Sequence, residues 1–160
     1  MGVTIGPADW WITTLESINS LAIGCPVGTT LPDGSRIICK AGGTAWIVAP
    51  SSTEVGQTWN STTTTQVGNK PCVCDWPTLN TRLINCGFNP CDWFVPSISQ
   101  LNNPGYVCRT RWDCFASTFY WSSTEINATN ACYQSFINGC ICTRSKAATD
   151  CVRAFRCVTY

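Results

Sequence analysis

Apolar residues Trp11, Leu15, Ile18 and Ala22 recur at three- to four-residue intervals, the spacing that lines one face of a helix. Asp9 stands where an N-cap belongs, and Gly24 with Pro26 stops the run, so a helix is expected over residues 9–23. Beyond Gly24 the period shortens. Residues 36–39 and 45–49 are apolar runs flanking Gly42-Gly43, a hairpin signal. Residues 51–70 are rich in Ser, Thr, Asn and Gly and are expected to form a loop that buries little. Within it, residues 62–65 are all Thr, with strand propensity but no apolar face, which predicts an exposed loop or edge. Residues 97–101 come directly after Pro96 and predict a short helix. Residues 131–136 and 140–142 flank Asn138-Gly139, which predicts a type I′ hairpin because both central positions then need positive φ. The last strand, residues 151–160, sets Val152, Ala154 and Val158 against Cys151, Arg153, Phe155 and Cys157. The triplet Cys74-Asp75-Trp76 returns as Cys91-Asp92-Trp93, but the residues after the two copies differ, so it is a local echo and not a repeat architecture.

Composition narrows the function. The chain has 160 residues, enough for one domain with a sizeable core. Charged residues are only 12 % and the net charge is +1, so nothing marks a nucleic-acid or anionic-membrane partner. The longest apolar run, residues 45–49, is far short of the about 20 residues a membrane span needs, so no membrane insertion is expected. There is no His, which removes histidine bases, Ser-His-Asp triads, Cys-His pairs and His-containing zinc sites. The acidic residues are scattered singly, C-x-x-C is missing and no Gly-rich phosphate loop is present. Asp75, Asp92 and Asp113 each neighbour a Trp and a Cys, which reads as turns and capping. No catalytic residue, cofactor or metal is expected.

Thirteen cysteines stand against that bland background: Cys25, Cys39, Cys72, Cys74, Cys86, Cys91, Cys108, Cys114, Cys132, Cys140, Cys142, Cys151 and Cys157. Such density marks an oxidising compartment and predicts disulfides. The odd count leaves one thiol unpaired or bonded to another chain. Cys72-Val73-Cys74 and Cys140-Ile141-Cys142 are C-x-C pairs, not the C-x₂-C of zinc ribbons. In an extended strand such a pair diverges too far to bridge, so each member is expected to reach a different partner. Cys86 with Cys91, and Cys108 with Cys114, are spaced to close small loops. The opening residues carry no basic, apolar leader, the first cationic side chain being Arg36. Either a leader has been removed or the protein leaves its host by lysis, as a virion protein does.

Eight Trp and abundant Thr supply stacking faces and neutral hydrogen bonds, the makeup of a carbohydrate or protein paratope. Trp46, Trp93 and Trp121 sit among apolar neighbours and read as core. Trp59, Trp112 and Tyr120, with Asn127 and Asn130, are the candidate ligand-binding residues. Trp10, Trp11 and Leu15 are candidates for docking the N-terminal helix onto a partner. Asn60-Ser61-Thr62 and Asn127-Ala128-Thr129 match N-glycosylation acceptors.

Several segments together resemble one family. Residues 37–50, reading IICKAGGTAWIVAP, resemble the opening hairpin of DUF1566 (Lcl-type) domains. Residues 92–101, DWFVPSISQL, are similar to that family's W-x-L-P-[ST]-x-x-E-L segment, with Val95 for Leu and Gln100 for Glu. Tyr120-Trp121-Ser122-Ser123-Thr124-Glu125 resembles its YWSSTE. Phe136, Gly139, Lys146 and then Val152-Arg153-Ala154-Phe155-Arg156 resemble its closing F-x-x-G, K and V-R-x-V-R. The resemblance implies an α+β, C-type-lectin-like domain over residues 31–160, with short strands, long loops and several disulfides, preceded by an N-terminal helix and docking segment over residues 1–30. It further implies a virion-surface protein of a tailed phage, a decoration protein or fibre tip, whose partners are other virion proteins, copies of itself and a host-surface glycan or receptor. Two alternatives remain: a structural subunit with no ligand, and a secreted bacterial adhesin or lectin. The Glu-Pro-Asn motif of calcium-dependent lectins and the copper-binding cysteine motif of formylglycine-generating enzymes are both missing, so neither property is implied.

Overall fold

Alternating segments from both halves of the chain assemble into two sheets with helices and turns at their margins, a mixed α+β fold. The computed structural model describes residues 15–60 and 63–160. Trp10, Trp11, the N-cap at Asp9 and Thr62 lie outside the described residues. The helix α1 runs from Leu15 to Gly24 and buries Ile18 and Ala22. It rests on the C-terminal strand, where the Arg156 guanidinium donates to the Asn19 side chain. Leu15, expected to dock, is 40 % exposed at its start.

β1 (Arg36–Ala41) and β2 (Thr44–Val48) form the expected hairpin, and Gly42 and Gly43 take φ of 59° and 78° in its turn. β8 (Phe155–Thr159) pairs with β2 to complete a three-stranded sheet. The second sheet has five strands in the order β3-β7-β4-β5-β6, where β3 is Val55–Gln57, β4 Phe119–Glu125, β5 Asn130–Ser135, β6 Ile141–Ser145 and β7 Asp150–Val152. The expected single strand over 151–160 is therefore two strands, one in each sheet, joined at Arg153-Ala154. Its two-faced alternation fails because both faces are covered: Val152, Arg153, Ala154, Phe155 and Arg156 are all buried.

Two further helices, α2 (Pro77–Asn85) and the single turn α3 (Ile98–Gln100), lie between β3 and β4 in sequence. α3 confirms the short helix expected after Pro96. Ser97 accepts from the Gln100 amide while the Gln100 side chain accepts from the Ser97 amide, a reciprocal cap. The recurring Cys-Asp-Trp triplets each end a 3₁₀ turn, Val73–Asp75 and Pro90–Asp92, and each sends its Trp into the core. Asp75 and Asp92 thus serve turns, as expected.

The β5–β6 hairpin is present, but its turn is not type I′. Ser135 pairs with Cys140 across a four-residue connection, and the Gly139 amide donates to the Ser135 carbonyl at 2.8 Å. Of the two central residues only Gly139 has positive φ, 84°, because the longer loop needs one left-handed residue where a two-residue turn needs two. A Cβ on Gly139 would meet the Tyr106 ring at 2.7 Å.

The β1-β2-β8 sheet separates two apolar clusters. Ile37, Ile47, Ala154 and Val158 join one with Trp59, Trp76, Trp93 and Trp121; Ile38, Val48 and Phe155 join the other with Trp112, Tyr120 and Phe136. Successive residues of a strand point to opposite faces, so the consecutive isoleucines of β1 fill opposite clusters.

Candidate functional site

The aromatic residues expected at a ligand surface are core. Trp59 and Tyr120 are fully buried and Trp112 is 3 % exposed. Trp59 stacks edge-on to Trp76 at 5.8 Å, and its Nε1 donates to the Ser122 carbonyl at 2.8 Å. Trp112 is enclosed by Phe115, Tyr120, Phe136 and Phe155. None offers a free face for stacking. The reason is that polar neighbours in sequence do not mean solvent in space. Residues 55–57 are a strand of the second sheet, and the expectation that residues 51–70 bury little is wrong: Thr53, Val55, Gln57, Trp59 and Asn60 are all buried.

A charged pair holds that segment down. Lys146 Nζ lies 2.6 Å from Glu125 Oε2, with both side chains almost wholly withdrawn from water. Lys146 also donates to the Thr65 carbonyl at 3.1 Å and sits 4.8 Å from the centre of the Trp59 ring. The Val67 and Gly68 amides donate to the two Glu125 oxygens at 2.8 Å each. Burial alone would push the Glu125 carboxyl up, but Lys146 and the two amides outweigh it and hold it below the usual carboxylate range.

A second cluster centres on Arg153. Its guanidinium donates to Glu54 at 2.7 Å, Asp113 at 2.5 Å, the Cys114 carbonyl at 3.0 Å and the Ala49 carbonyl at 2.8 Å. It also lies 5.1 Å from the Trp112 ring centre. The Tyr120 hydroxyl donates to Glu54 at 2.6 Å, and burial followed by that carboxylate raises its ionisation far above the usual range. Cys151 beside them is pushed up to about 12, first by burial and then by Glu54. Asp113, expected only in a turn, is a partner of Arg153 and accepts from the Ser51 amide at 2.7 Å. Glu54 has no marker in the sequence at all. Its position two residues after a Ser pair, in a polar segment, looks like any solvated carboxylate.

Asn127 and Asn130 do reach the surface, at the β4–β5 turn. The Asn127 side-chain oxygen accepts from the Thr129 amide at 3.0 Å and the Asn130 amide at 2.9 Å, so it closes its own turn. The two predicted asparagines are therefore brought together, apart from the three buried aromatics. Asn60 of the first acceptor triplet is buried at φ 57°, whereas Asn127 of the second is exposed. A shallow cleft of about 320 Å³ opens beside α1, lined by Leu15, Asp33, Phe88, Asn89, Asp92 and Trp93 among others. Asp33 there is committed to Ser35, and Asn89 to Cys91.

The sulfur chemistry departs from expectation in detail. Cys72 and Cys74 are bonded to each other, with Cα atoms 5.3 Å apart. The expectation that a C-x-C pair diverges assumes an extended strand; here Cys72 leads into the 3₁₀ turn that ends at Asp75, which folds the two sulfurs together. Cys72, Cys74 and Asp75 also bring their ligand atoms within 4.8 Å, but two of those atoms are joined to each other. Cys86, Cys91, Cys108 and Cys114 are unbonded, so neither expected small loop is closed. Cys39 and Cys108 instead meet as neighbours, and burial followed by the Cys108 thiol raises Cys39. Cys86, Cys91, Cys114, Cys140, Cys142 and Cys157 are exposed. No protein-family model matches the chain, and neither does any curated protein sequence.

Proposed function

We propose that this chain is a structural protein of an extracellular assembly, a decoration protein or fibre tip on a tailed-phage virion, hardened and joined to its neighbours through sulfur. The observation that carries the reading is the position of the thiols. Six of them lie on the surface of a domain whose apolar clusters and charged pairs are already closed. A domain of this size does not need staples in order to fold. Exposed thiols add nothing to its core, and in an oxidising medium they react. Their use is then to fix the domain's outer turns and to bond it to other chains.

The C-type-lectin-like fold is part of this proposal and is supported by where the resembling residues fall. Glu125 of the YWSSTE segment pairs with Lys146, and Arg153 of the closing segment gathers Glu54 and Asp113. Residues that mark the likeness in sequence are those that hold the fold, which fits a shared architecture more than a shared ligand. A host-binding surface on this domain would use exposed loops such as the Asn127–Asn130 turn, not the buried tryptophans.

The test is the covalent state of the full chain purified under oxidising conditions, by intact mass and by denaturing electrophoresis with and without reductant. Disulfide-linked oligomers that collapse to one chain on reduction are expected. A product that stays a single chain at every protein concentration, with its surface thiols free or bonded internally, would overturn the reading.

A further inference from the structure

We infer that two copies of this chain join edge to edge through β6, with Cys140 of each bonded to Cys142 of the other. The inference rests on the structural role proposed above and names the partner and the contact. β6 is the last strand of its sheet, so one side of it has no strand partner among the described residues. Cys140, Ile141, Cys142 and Thr143 are all exposed, and Ile137 at the hairpin tip is 64 % exposed. Natural edge strands are usually blunted by charge, proline or a bulge. β6 carries one charged side chain, Arg144, and its pairing with β5 is regular over all five residues.

The backbone sets the register. The Ser135 amide donates to the Cys140 carbonyl, so Cys140 is hydrogen-bonded inward to β5. Antiparallel pairs alternate, which makes Cys142 and Arg144 inward-bonding as well and turns the amides and carbonyls of Ile141 and Thr143 to the free edge. A second β6 can therefore pair about a two-fold axis at Ile141. Ile141 then exchanges hydrogen bonds with its own copy. Cys140 falls opposite the partner subunit's Cys142 in the narrow, non-hydrogen-bonded position, with Cα atoms about 4.5 Å apart. That separation lies inside the about 4.4–6.8 Å that a disulfide spans.

The reason for a second copy, and not another protein, is that Cys140-Ile141-Cys142 reads the same in both directions. A two-fold axis at Ile141 sets Cys140 opposite the partner subunit's Cys142 and Cys142 opposite the partner subunit's Cys140, so the symmetry makes each bond twice. No like charges meet, since Arg144 falls opposite the partner subunit's Asn138. Each bond forms by exchange with a disulfide oxidant such as glutathione disulfide. One cysteine thiolate displaces a glutathione thiolate to give a mixed disulfide; the facing thiolate then displaces the second glutathione. Two thiols are oxidised, one glutathione disulfide is reduced to two glutathiones, and two bonds consume two equivalents.

The test is complementation in the full chain. In a background with Cys86, Cys91, Cys114 and Cys157 changed to Ser, C140S and C142S are made singly and oxidised with glutathione disulfide, alone and as an equal mixture. All are exposed sites, and unchanged thermal unfolding checks that each variant is folded. Covalent dimer is expected from the background protein and from the mixture, where Cys142 of one variant meets Cys140 of the other, and not from either variant alone. A mixture that gives no more dimer than the single variants overturns the inference. Oligomers in the wild type with none in the four-serine background place the cross-links on other thiols, which overturns the edge contact and leaves the structural role standing. Absence of oligomers in the wild type overturns both.

Discussion

Lys146 and Glu125 meet at 2.6 Å inside the domain, and between them they tie a polar loop to the second sheet. Thr65, Val67 and Gly68 of that loop bond to these two side chains and not to a strand's backbone. The pair thus replaces the ladder that the loop's composition cannot form. Removing one member leaves an uncompensated buried charge, which costs about 3–5 kcal/mol, whereas removing both together costs much less. Lys146→Met and Glu125→Gln should each lower the urea midpoint strongly, and the double variant should lie above the worse single. A double variant whose loss equals the sum of the singles would show that the two do not act as a pair.

Acid should unfold the protein through the same contacts. Glu125 and Asp113 are both held below the usual carboxylate range, against burial, by Lys146 and loop amides in one case and by the Ser51 amide and Arg153 in the other. A folded value below the unfolded one means that the unfolded chain binds more protons as the pH falls. The stabilisation is complete well above the unfolded carboxylate values of about 4 and is lost as the pH drops through them toward the depressed folded values. Asp150 works in the opposite sense, since burial raises it despite Arg144 at 3.2 Å. Urea midpoints measured from pH 7 to pH 2.5 should therefore fall steeply below pH 4. Glu125→Gln should flatten that limb, and an unchanged slope in this variant would remove Glu125 from the account.

Trp59 gives the sharpest contrast between a surface and a core assignment. It is fully buried against Trp76 and Lys146 and holds the Ser122 carbonyl. Trp59→Ala opens a cavity and orphans that carbonyl, a loss of about 3–5 kcal/mol. Thermal unfolding should shift down by many degrees. A melting temperature within a degree or two of the wild type would restore the surface reading.

Elements whose signal is local are legible in the sequence. The β1–β2 hairpin is marked by Gly42-Gly43, the α3 turn by Pro96, and the β5–β6 hairpin by its alternation. Features that depend on the second face of a sheet are not legible. Alternation separates inside from outside only when one face is wet, and here Ile37 and Ile38 enter different clusters while Arg153 and Arg156 are buried on a strand expected to be half exposed. Trp59 is misread for a related reason. Its neighbours are polar because the loop's backbone is satisfied by Lys146, Glu125 and Ser123, residues more than about 50 positions away, and no local window contains that information. The paired charges are half visible: Glu125, Lys146 and Arg153 lie in the family-like segments, but nothing in the chain links them to one another or to Glu54.

The disulfide map is the last quantity that proximity in space decides against proximity in sequence. Cys108 and Cys114 are six residues apart and unbonded, whereas the thiol of Cys108 neighbours that of Cys39 across the second apolar cluster. The short 3₁₀ turn Arg109–Arg111 is held against β1, where an Arg111 nitrogen donates to the Ile38 carbonyl at 3.4 Å, and this keeps the two thiols facing. Oxidation should therefore join Cys39 to Cys108 before any bond that requires the backbone to move. Closing a loop of that length restricts the unfolded chain by about 4 kcal/mol in the chain-entropy account. Limited oxidation, alkylation and peptide mass mapping should recover the Cys39–Cys108 peptide pair first, and the oxidised domain should unfold at higher urea than a Cys39→Ser/Cys108→Ser variant. Recovery of Cys108–Cys114 in its place would return the short loop that spacing alone suggests and break the link between β1 and its neighbouring turn.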